Sequence, residues 1–228
     1  HYGFNPHHMA EAQAIEIVVW QGAKPGTGGL LMGVKVLDEI ADMMDLPQGI
    51  DQRSPARHPD WLGPDDLAVK IEQLREATDW RLPVHVKLGA CRVEDDVKLA
   101  AKAGADAIII DSMVAGTGAS AEVLIEHSGI PTVPAIVMAR EALRELGLYG
   151  KVSLIASGGI RSGTDAAKAL ALGADAVAIG IAALIALNCN KEIPESDFVK
   201  EVGVPAGQCH HCHTGKCPVG ITTQDPEL

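Results

Sequence analysis

Aromatic residues are nearly missing: two Phe, two Tyr and three Trp in 228 residues. The chain is nonetheless 47% apolar and carries 24 Gly, so its core must be built from Ala, Val, Ile and Leu. That is the composition of small-residue α/β packing, and 228 residues suffice for one sizeable core. Positive charge is also short, with 19 Lys and Arg against 30 Asp and Glu and a net charge of −11. Such a balance argues against nucleic acid or an anionic membrane surface as partner. No apolar run reaches the roughly 18 residues of a spanning helix, and no charged-then-apolar stretch opens the sequence at His1. Cysteine is scarce until the tail: Cys91 stands alone before Cys189 and is expected to be a small buried residue. This is not the usage of a secreted disulfide scaffold, so a reducing cytoplasm is the expected compartment.

What is present gathers at the end. Cys209-His210-His211-Cys212-His213-Thr214-Gly215-Lys216-Cys217-Pro218-Val219-Gly220 follows Cys189 by a short interval. Thiolates at these spacings, with Pro after the last and small residues nearby, suit a metal or an iron–sulfur cluster. The interleaved histidines keep a zinc site open, whereas the Cys217-Pro218 step favours iron–sulfur. The expectation is a protein that moves electrons.

Two segments share one pattern: Ala100-Ala-Lys-Ala-Gly104-Ala-Asp106-Ala-Ile-Ile-Ile-Asp111 and Ala169-Leu-Ala-Leu-Gly173-Ala-Asp175-Ala-Val-Ala-Ile-Gly180. Each reads as a helix ending at Gly, a tight turn and a wholly apolar strand, the signature of a buried parallel sheet. Strands are expected at residues 15–20, 84–88, 107–111, 132–136, 152–157 and 176–180. Polar residues follow them: Gln21 and Lys24, Lys87, Asp111 and Ser112, Ser157 to Arg161, Gly180. Chemistry at the carboxyl ends of successive strands is the habit of the (β/α)8 TIM barrel. The expected fold is therefore α/β, with about six βα units of such a barrel here and the first two outside this chain. Residues 46–66, rich in Pro, Gly and charge, are expected to form neither helix nor strand. They are either a functional cover or a solvated connection.

Ser157-Gly158-Gly159-Ile160-Arg161-Ser162-Gly163 leaves one strand and opens a helix. Glycines let the backbone approach an anion, and the helix start offers free N–H groups and the positive dipole end. The next strand ends at Ile179-Gly180-Ile181, and barrels build phosphate sites from the loops after their last two strands. Lys87 sits at a strand end, where packing alone rarely places a buried cation; beside a flavin it would stabilise negative charge on the ring. Gln21-Gly-Ala-Lys24-Pro-Gly-Thr-Gly28-Gly29 is a cationic glycine-rich loop suited to a carboxylate or a flavin edge. Ala115-Gly-Thr-Gly-Ala-Ser120 is a comparable loop.

In order along the chain, Gln21-Gly-Ala-Lys-Pro-Gly-Thr-Gly-Gly, Val86-Lys87-Leu88, Gly116-Thr-Gly-Ala-Ser, Ser157-Gly-Gly-Ile-Arg-Ser-Gly, Gly180-Ile-Ala-Ala-Leu-Ile-Ala-Leu-Asn-Cys189 and Cys212-His-Thr-Gly-Lys-Cys217-Pro-Val-Gly-Ile-Thr-Thr-Gln224 resemble the FMN-binding synthase domain of the glutamate synthase large subunit. The resemblance runs from about residue 1 to 224 and implies a barrel domain over 1–187 and an iron–sulfur segment over 188–228. It implies that Ser157, Gly158, Gly159, Arg161, Gly180 and Ile181 hold the FMN phosphate and that Gln21 and Lys87 touch the flavin ring. By the same resemblance Lys24, Gly28, Gly29, Asp111 and Ser112 border a 2-oxoglutarate site, with Lys24 and Lys87 the catalytic cations. Cys189, Cys212 and Cys217 would ligate a [3Fe-4S] cluster, and the extra Cys209 permits [4Fe-4S].

Three departures qualify it. Cys189 and Cys209 stand farther apart than the family's first two cysteines. Ser112-Met-Val-Ala-Gly116 replaces a His-Asp-Gly-Gly stretch. Tyr2-Gly-Phe-Asn-Pro-His-His-Met-Ala and Asp51-Gln-Arg-Ser-Pro-Ala-Arg-His-Pro-Asp-Trp resemble the N-methylglutamate synthase branch. The implied activity is FMN-dependent reductive amination of 2-oxoglutarate to glutamate; amine transfer in that branch and a zinc-stabilised phosphate-binding module are the alternatives. Implied partners are 2-oxoglutarate or glutamate with ammonia or an amine, a glutaminase domain or subunit, and a ferredoxin or NAD(P)H-flavoprotein electron donor, in a hetero-oligomer.

Overall fold

The structure is a computed structural model that describes residues 6–19, 21–116, 120–187, 189, 211–213, 215–217 and 219–223. Its centre is a five-stranded parallel sheet of β1 (Ile15–Val18), β4 (Val84–Gly89), β5 (Ala107–Asp111), β6 (Ser153–Ser157) and β7 (Ala176–Ala178), in the order β1-β4-β5-β6-β7. A two-stranded antiparallel ladder of β2 (Leu30–Leu31) and β3 (Gln52–Arg53) stands apart from it. The longer helices are α3 (Pro64–Ala77), α4 (Val93–Lys102), α6 (Thr132–Glu145) and α7 (Gly163–Leu172). The shorter are α1 (Pro6–Glu11), α2 (Asp38–Met44), α5 (Glu122–His127) and α8 (Ile181–Ala186).

Strand alternation sorts the sheet into two faces. Ile17, Val84, Val86, Leu88, Ile108, Ile110, Leu154 and Ala156 face the helices and join one core with Leu67, Ile71, Val97, Ile136 and Leu143. The register puts the other set in rows across the sheet: Val18, Lys87, Ile109 and Ile155, then Gly89, Asp111 and Ser157 above them. Strand order follows the chain without reversal, and α3, α4, α6 and α7 pack each on the next. A doubly wound sheet reverses its order at a switch point; this sheet does not. One covered face and one face bearing Lys87 and Asp111 is the arrangement of a barrel wall.

Five strands stand where six were expected. Residues 132–136 open α6 instead of forming a strand. Pro131 caps that helix, and Ala135, Ile136, Ala139, Ala142 and Leu143 are buried at helical spacing. Pro134 tolerates a first helical turn but would break the ladder of a central strand. Residues 46–66 also depart from expectation, because β3 lies within them and pairs with β2. Cys91 is exposed where a buried position was expected; it follows β4 as the chain leaves the core. Among the described residues no helix is long and apolar enough to cross a membrane.

Candidate functional site

The carboxyl ends of β4, β5 and β6 bring Lys87, Asp111 and Ser157 together, with the Asp111 carboxylate buried among them. Asp111 Oδ2 accepts the Gly22 N–H at 2.8 Å, and Oδ1 accepts the Ser157 hydroxyl at 2.6 Å. Lys87 Nζ lies 3.9 Å from Oδ2, with the Asp111 side chain 6% exposed and that of Lys87 21%. Lys87 thus keeps a partly open cation at the strand ends, with its countercharge inside the protein.

The loop after β1 is fastened at both ends. A Cβ on Gly22 would stand 1.9 Å from the Ser112 carbonyl oxygen, so only glycine fits there. Lys24 donates its N–H to the Gln21 carbonyl at 3.1 Å, closing a turn. At the far end Gly28 has φ +67° and would meet the Ser54 oxygen with any Cβ, while the Gly29 N–H donates to Ser54 Oγ at 2.6 Å. Gln21 remains exposed and Lys24 half-buried. The 46–66 stretch also returns to the strand ends: His58 Nε2 bonds the Val18 carbonyl at 3.0 Å, and its ring stacks on Trp61 at 4.7 Å.

Ser112, expected to border the substrate, is fully buried and hydrogen-bonds Thr132 Oγ1 at 2.7 Å. Thr132 donates on to the Gly158 carbonyl at 2.7 Å. The pair therefore props the Ser157–Gly163 loop from behind. In that loop Gly158 (φ +97°) and Gly159 (φ +71°) adopt the left-handed conformation and press on Ser112 and Val114. Ser162 caps α7 by accepting the Asp165 N–H, and Asp165 answers by accepting the Arg161 N–H at 3.1 Å and the Ser162 hydroxyl at 3.0 Å. This reciprocal capping box holds the Asp165 carboxyl below its usual range, chiefly through the Arg161 N–H and then the Ser162 hydroxyl.

Gly163 and Gly180, like Gly63 at the start of α3, carry no positive φ, and a Cβ on any of them would meet nothing within 4 Å. Packing calls for glycine at none of the three, and of them Gly163 and Gly180 lie beyond the carboxyl ends of β6 and β7, where an approaching phosphate would use the space. A cavity of about 380 Å³ opens beside the loop, lined by Val114, Thr132, Gly158, Gly159, Arg161 and Lys168 among others. Arg161 and Lys168 give it two cations.

The cysteine segment is described in part. Cys189 follows α8 and donates its N–H to the Leu184 carbonyl at 2.9 Å. Cys212 lies in a 3-10 turn, His211–His213, whose Cys212 carbonyl accepts Lys35 Nζ at 3.1 Å. Cys217 is buried. Burial pushes its thiol up, but the N–H groups of Thr222 and Val219, the Thr222 hydroxyl and the Ile221 N–H together outweigh it and leave the thiol below its ordinary value. A sulfur ringed by backbone N–H donors is fitted to be a thiolate ligand. Cys209 lies outside the described residues. Among the described residues no three His, Cys, Asp or Glu side chains converge as a metal site, so Cys189, Cys212 and Cys217 are not brought together here.

A family model described as the conserved region in glutamate synthase matches residues 1–194 and 198–228. The chain is 56% identical over 227 residues to a glutamate synthase large subunit-like protein of Rhizobium meliloti, covering all of this chain and 51% of that protein. It is 44% identical over 228 residues to an archaeal glutamate synthase [NADPH] of Methanocaldococcus jannaschii, covering 41% of it. It is 34% identical to the glutamate synthase [NADPH] large chain of Bacillus subtilis, of which it covers 14%. The chain thus spans about half or less of the length of these relatives.

Proposed function

The chain belongs to the family defined by the conserved region in glutamate synthase, and on that premise we propose that it is the flavin- and cluster-binding part of a glutamate synthase-like oxidoreductase that aminates 2-oxoglutarate reductively to glutamate. The observation that carries the reading is the convergence, at one end of a parallel sheet, of Lys87, Asp111 and Ser157 with a glycine-rich helix start that is open to an anion. Among the described residues β1 and β7 each pair on one side, which fits a sheet that continues into a closed (β/α)8 barrel, and the apolar helix α8 buries none of its residues here.

FMN would supply two-electron reduction of an imine carbon, and an iron–sulfur cluster would supply electrons one at a time. Ser157, Gly158, Gly159, Arg161, Gly180 and Ile181 hold the phosphate, through backbone N–H groups and the α7 dipole. Gln21 and Lys87 lie against the ring, where the lysine cation offsets negative charge. Lys24 binds a substrate carboxylate by a charge-assisted hydrogen bond, and the Gly28-Gly29 turn lets the loop close on the keto acid. Asp111 and Ser112 hold this loop in position from beneath. Cys189, Cys212 and Cys217, not brought together among the described residues, would have to converge to ligate a [3Fe-4S] cluster within a 188–228 segment, or a [4Fe-4S] cluster with Cys209; residues 1–187 would form the flavin domain. Ammonia comes from a glutaminase domain or subunit, and electrons from ferredoxin or an NAD(P)H-flavoprotein, in a cytoplasmic hetero-oligomer.

A second reading, amine transfer giving N-methylglutamate, is favoured by residues 51–61, whose sequence resembles that branch and whose His58 reaches the Val18 carbonyl at the strand ends. One preparation separates the readings. The full-length protein, purified without air, should show flavin absorbance and an iron–sulfur electron paramagnetic resonance signal, and should turn over 2-oxoglutarate with ammonia. Preference for methylamine would select the second reading. Stoichiometric zinc with no flavin would overturn both.

A further inference from the structure

A carboxylate that contacts a substrate must be open to it, and Asp111 is not. Its side chain is 6% exposed. One oxygen takes the Gly22 N–H and the other the Ser157 hydroxyl. Its remaining neighbour is the ammonium of Lys87, 3.9 Å away and on the open side. The register places the four groups at adjacent strand ends: Lys87 in β4, Asp111 in β5, Ser157 in β6, and Gly22 in the loop leaving β1.

We infer that Asp111 is a positioning residue: its buried carboxylate ties the Gln21–Gly29 loop and the Ser157–Gly163 loop to one fixed point and holds the Lys87 ammonium beside them. The inference rests on the flavin reading for its purpose but not for its geometry. A carboxylate 3.9 Å from an ammonium attracts it, so the side chain that receives both loops also draws the lysine to their meeting point. The other titratable groups on this face are Glu16 and His85, which pair in register with each other one row below; Lys24 approaches from the loop. Among the described residues the ion pair of Lys87 is with Asp111.

The consequence is coupling. Anything that shifts Asp111 moves the substrate loop, the phosphate loop and the ring-facing cation together. A purely structural carboxylate would matter for folding and leave Lys87 unaffected.

The test is limited acetylation of the full-length protein by acetic anhydride without added flavin, with Lys87 labelling read by mass spectrometry relative to Lys151. D111N removes the charge that faces the Lys87 ammonium, so the side chain is released and the Lys87:Lys151 ratio should rise several-fold. S157A removes a hydrogen bond and keeps the charge, so it should leave the ratio unchanged. An unchanged ratio in D111N overturns the inference. The reciprocal variant K87M does not depend on D111N folding: it leaves both hydrogen bonds to Asp111 in place, so amide hydrogen exchange across residues 21–29 should stay as slow as in the parent, and faster exchange there overturns the inference as well. FMN content, measured on a separate sample with flavin supplied, tests the flavin reading independently. A chain that binds no flavin but shows the labelling change refutes that reading and leaves Asp111 in its role.

Discussion

The two copies of the repeated segment fold alike and are buried differently. In both, the Asp after Gly-Ala fastens the preceding strand: Asp106 accepts the Val84 N–H at 2.7 Å, and Asp175 accepts the Leu154 N–H at 2.8 Å. In both, its own N–H returns to that same residue's carbonyl. The first copy, however, delivers β5 to the middle of the sheet with all five residues buried, while the second delivers β7 to an edge with none buried. Local sequence builds the unit; neighbours decide its burial. The strand ends differ too, since Asp111 closes the first as an anion and Gly180 leaves the second open.

The largest test of this contrast is in the strand interiors. Ile108→Ala, at a fully buried site, should cost about 3–4 kcal/mol in urea unfolding, and Val177→Ala about 1 kcal/mol; equal losses would mean that β7 is as enclosed as β5. Glycines give the next contrast. Gly22→Ala forces a Cβ onto the Ser112 carbonyl and should cost roughly 2–3 kcal/mol. Gly180→Ala should stay within about 0.5 kcal/mol of the parent while weakening FMN binding, and a stability loss as large as that of Gly22→Ala would break the assignment.

The aspartates themselves should differ less. Asp106 also meets Arg75 at 3.0 Å in a half-exposed ion pair, so Asp106→Ala should cost about 2 kcal/mol and Asp175→Ala about 1 kcal/mol. A double-mutant cycle with Arg75→Ala isolates the difference. The smallest effect is acidic. Because the folded Asp165 carboxyl lies below its unfolded value, its contribution is complete above the unfolded value and disappears as pH falls through the folded one. Asp165→Ala should flatten that part of the stability–pH curve, and a curve of unchanged shape would remove the capping box as its source.

Much of the sheet was legible in the chain, because apolar runs between glycine turns mark parallel strands to within two residues at each end. The misreading at residues 132–136 came from weighing a short apolar run above Pro134 and the helical spacing of the alanines beyond it. The Asp106 and Asp175 fasteners were missed although their Gly-Ala-Asp-Ala context stands twice in the sequence. The Lys87, Asp111 and Ser157 positions were legible one by one as strand-end residues. Their sharing of one carboxylate was not, since hydrogen bonds across 46 and 89 positions leave no local trace. Ser112 and Thr132 were hidden for the same reason. The short β2–β3 ladder has two residues a side, too few for periodicity to register.

The pairing of β1 with β4 brings with it an order of events. Strands β4 to β7 each join a neighbour one helix-containing connection away, whereas β1 reaches β4 only after residues 19–83 have been looped out. Closing the longer loop costs more entropy before any contact repays it. The β4–β6 wall with α4 and α6 should therefore form early, and β1 should arrive late with the Gln21–Gly29 loop behind it. Truncations at Ile17 should then speed unfolding and hardly slow refolding, while truncations at Ile110 should slow refolding. The substrate loop would thus be laid down on a wall already built, with the Asp111 carboxylate waiting to receive Gly22.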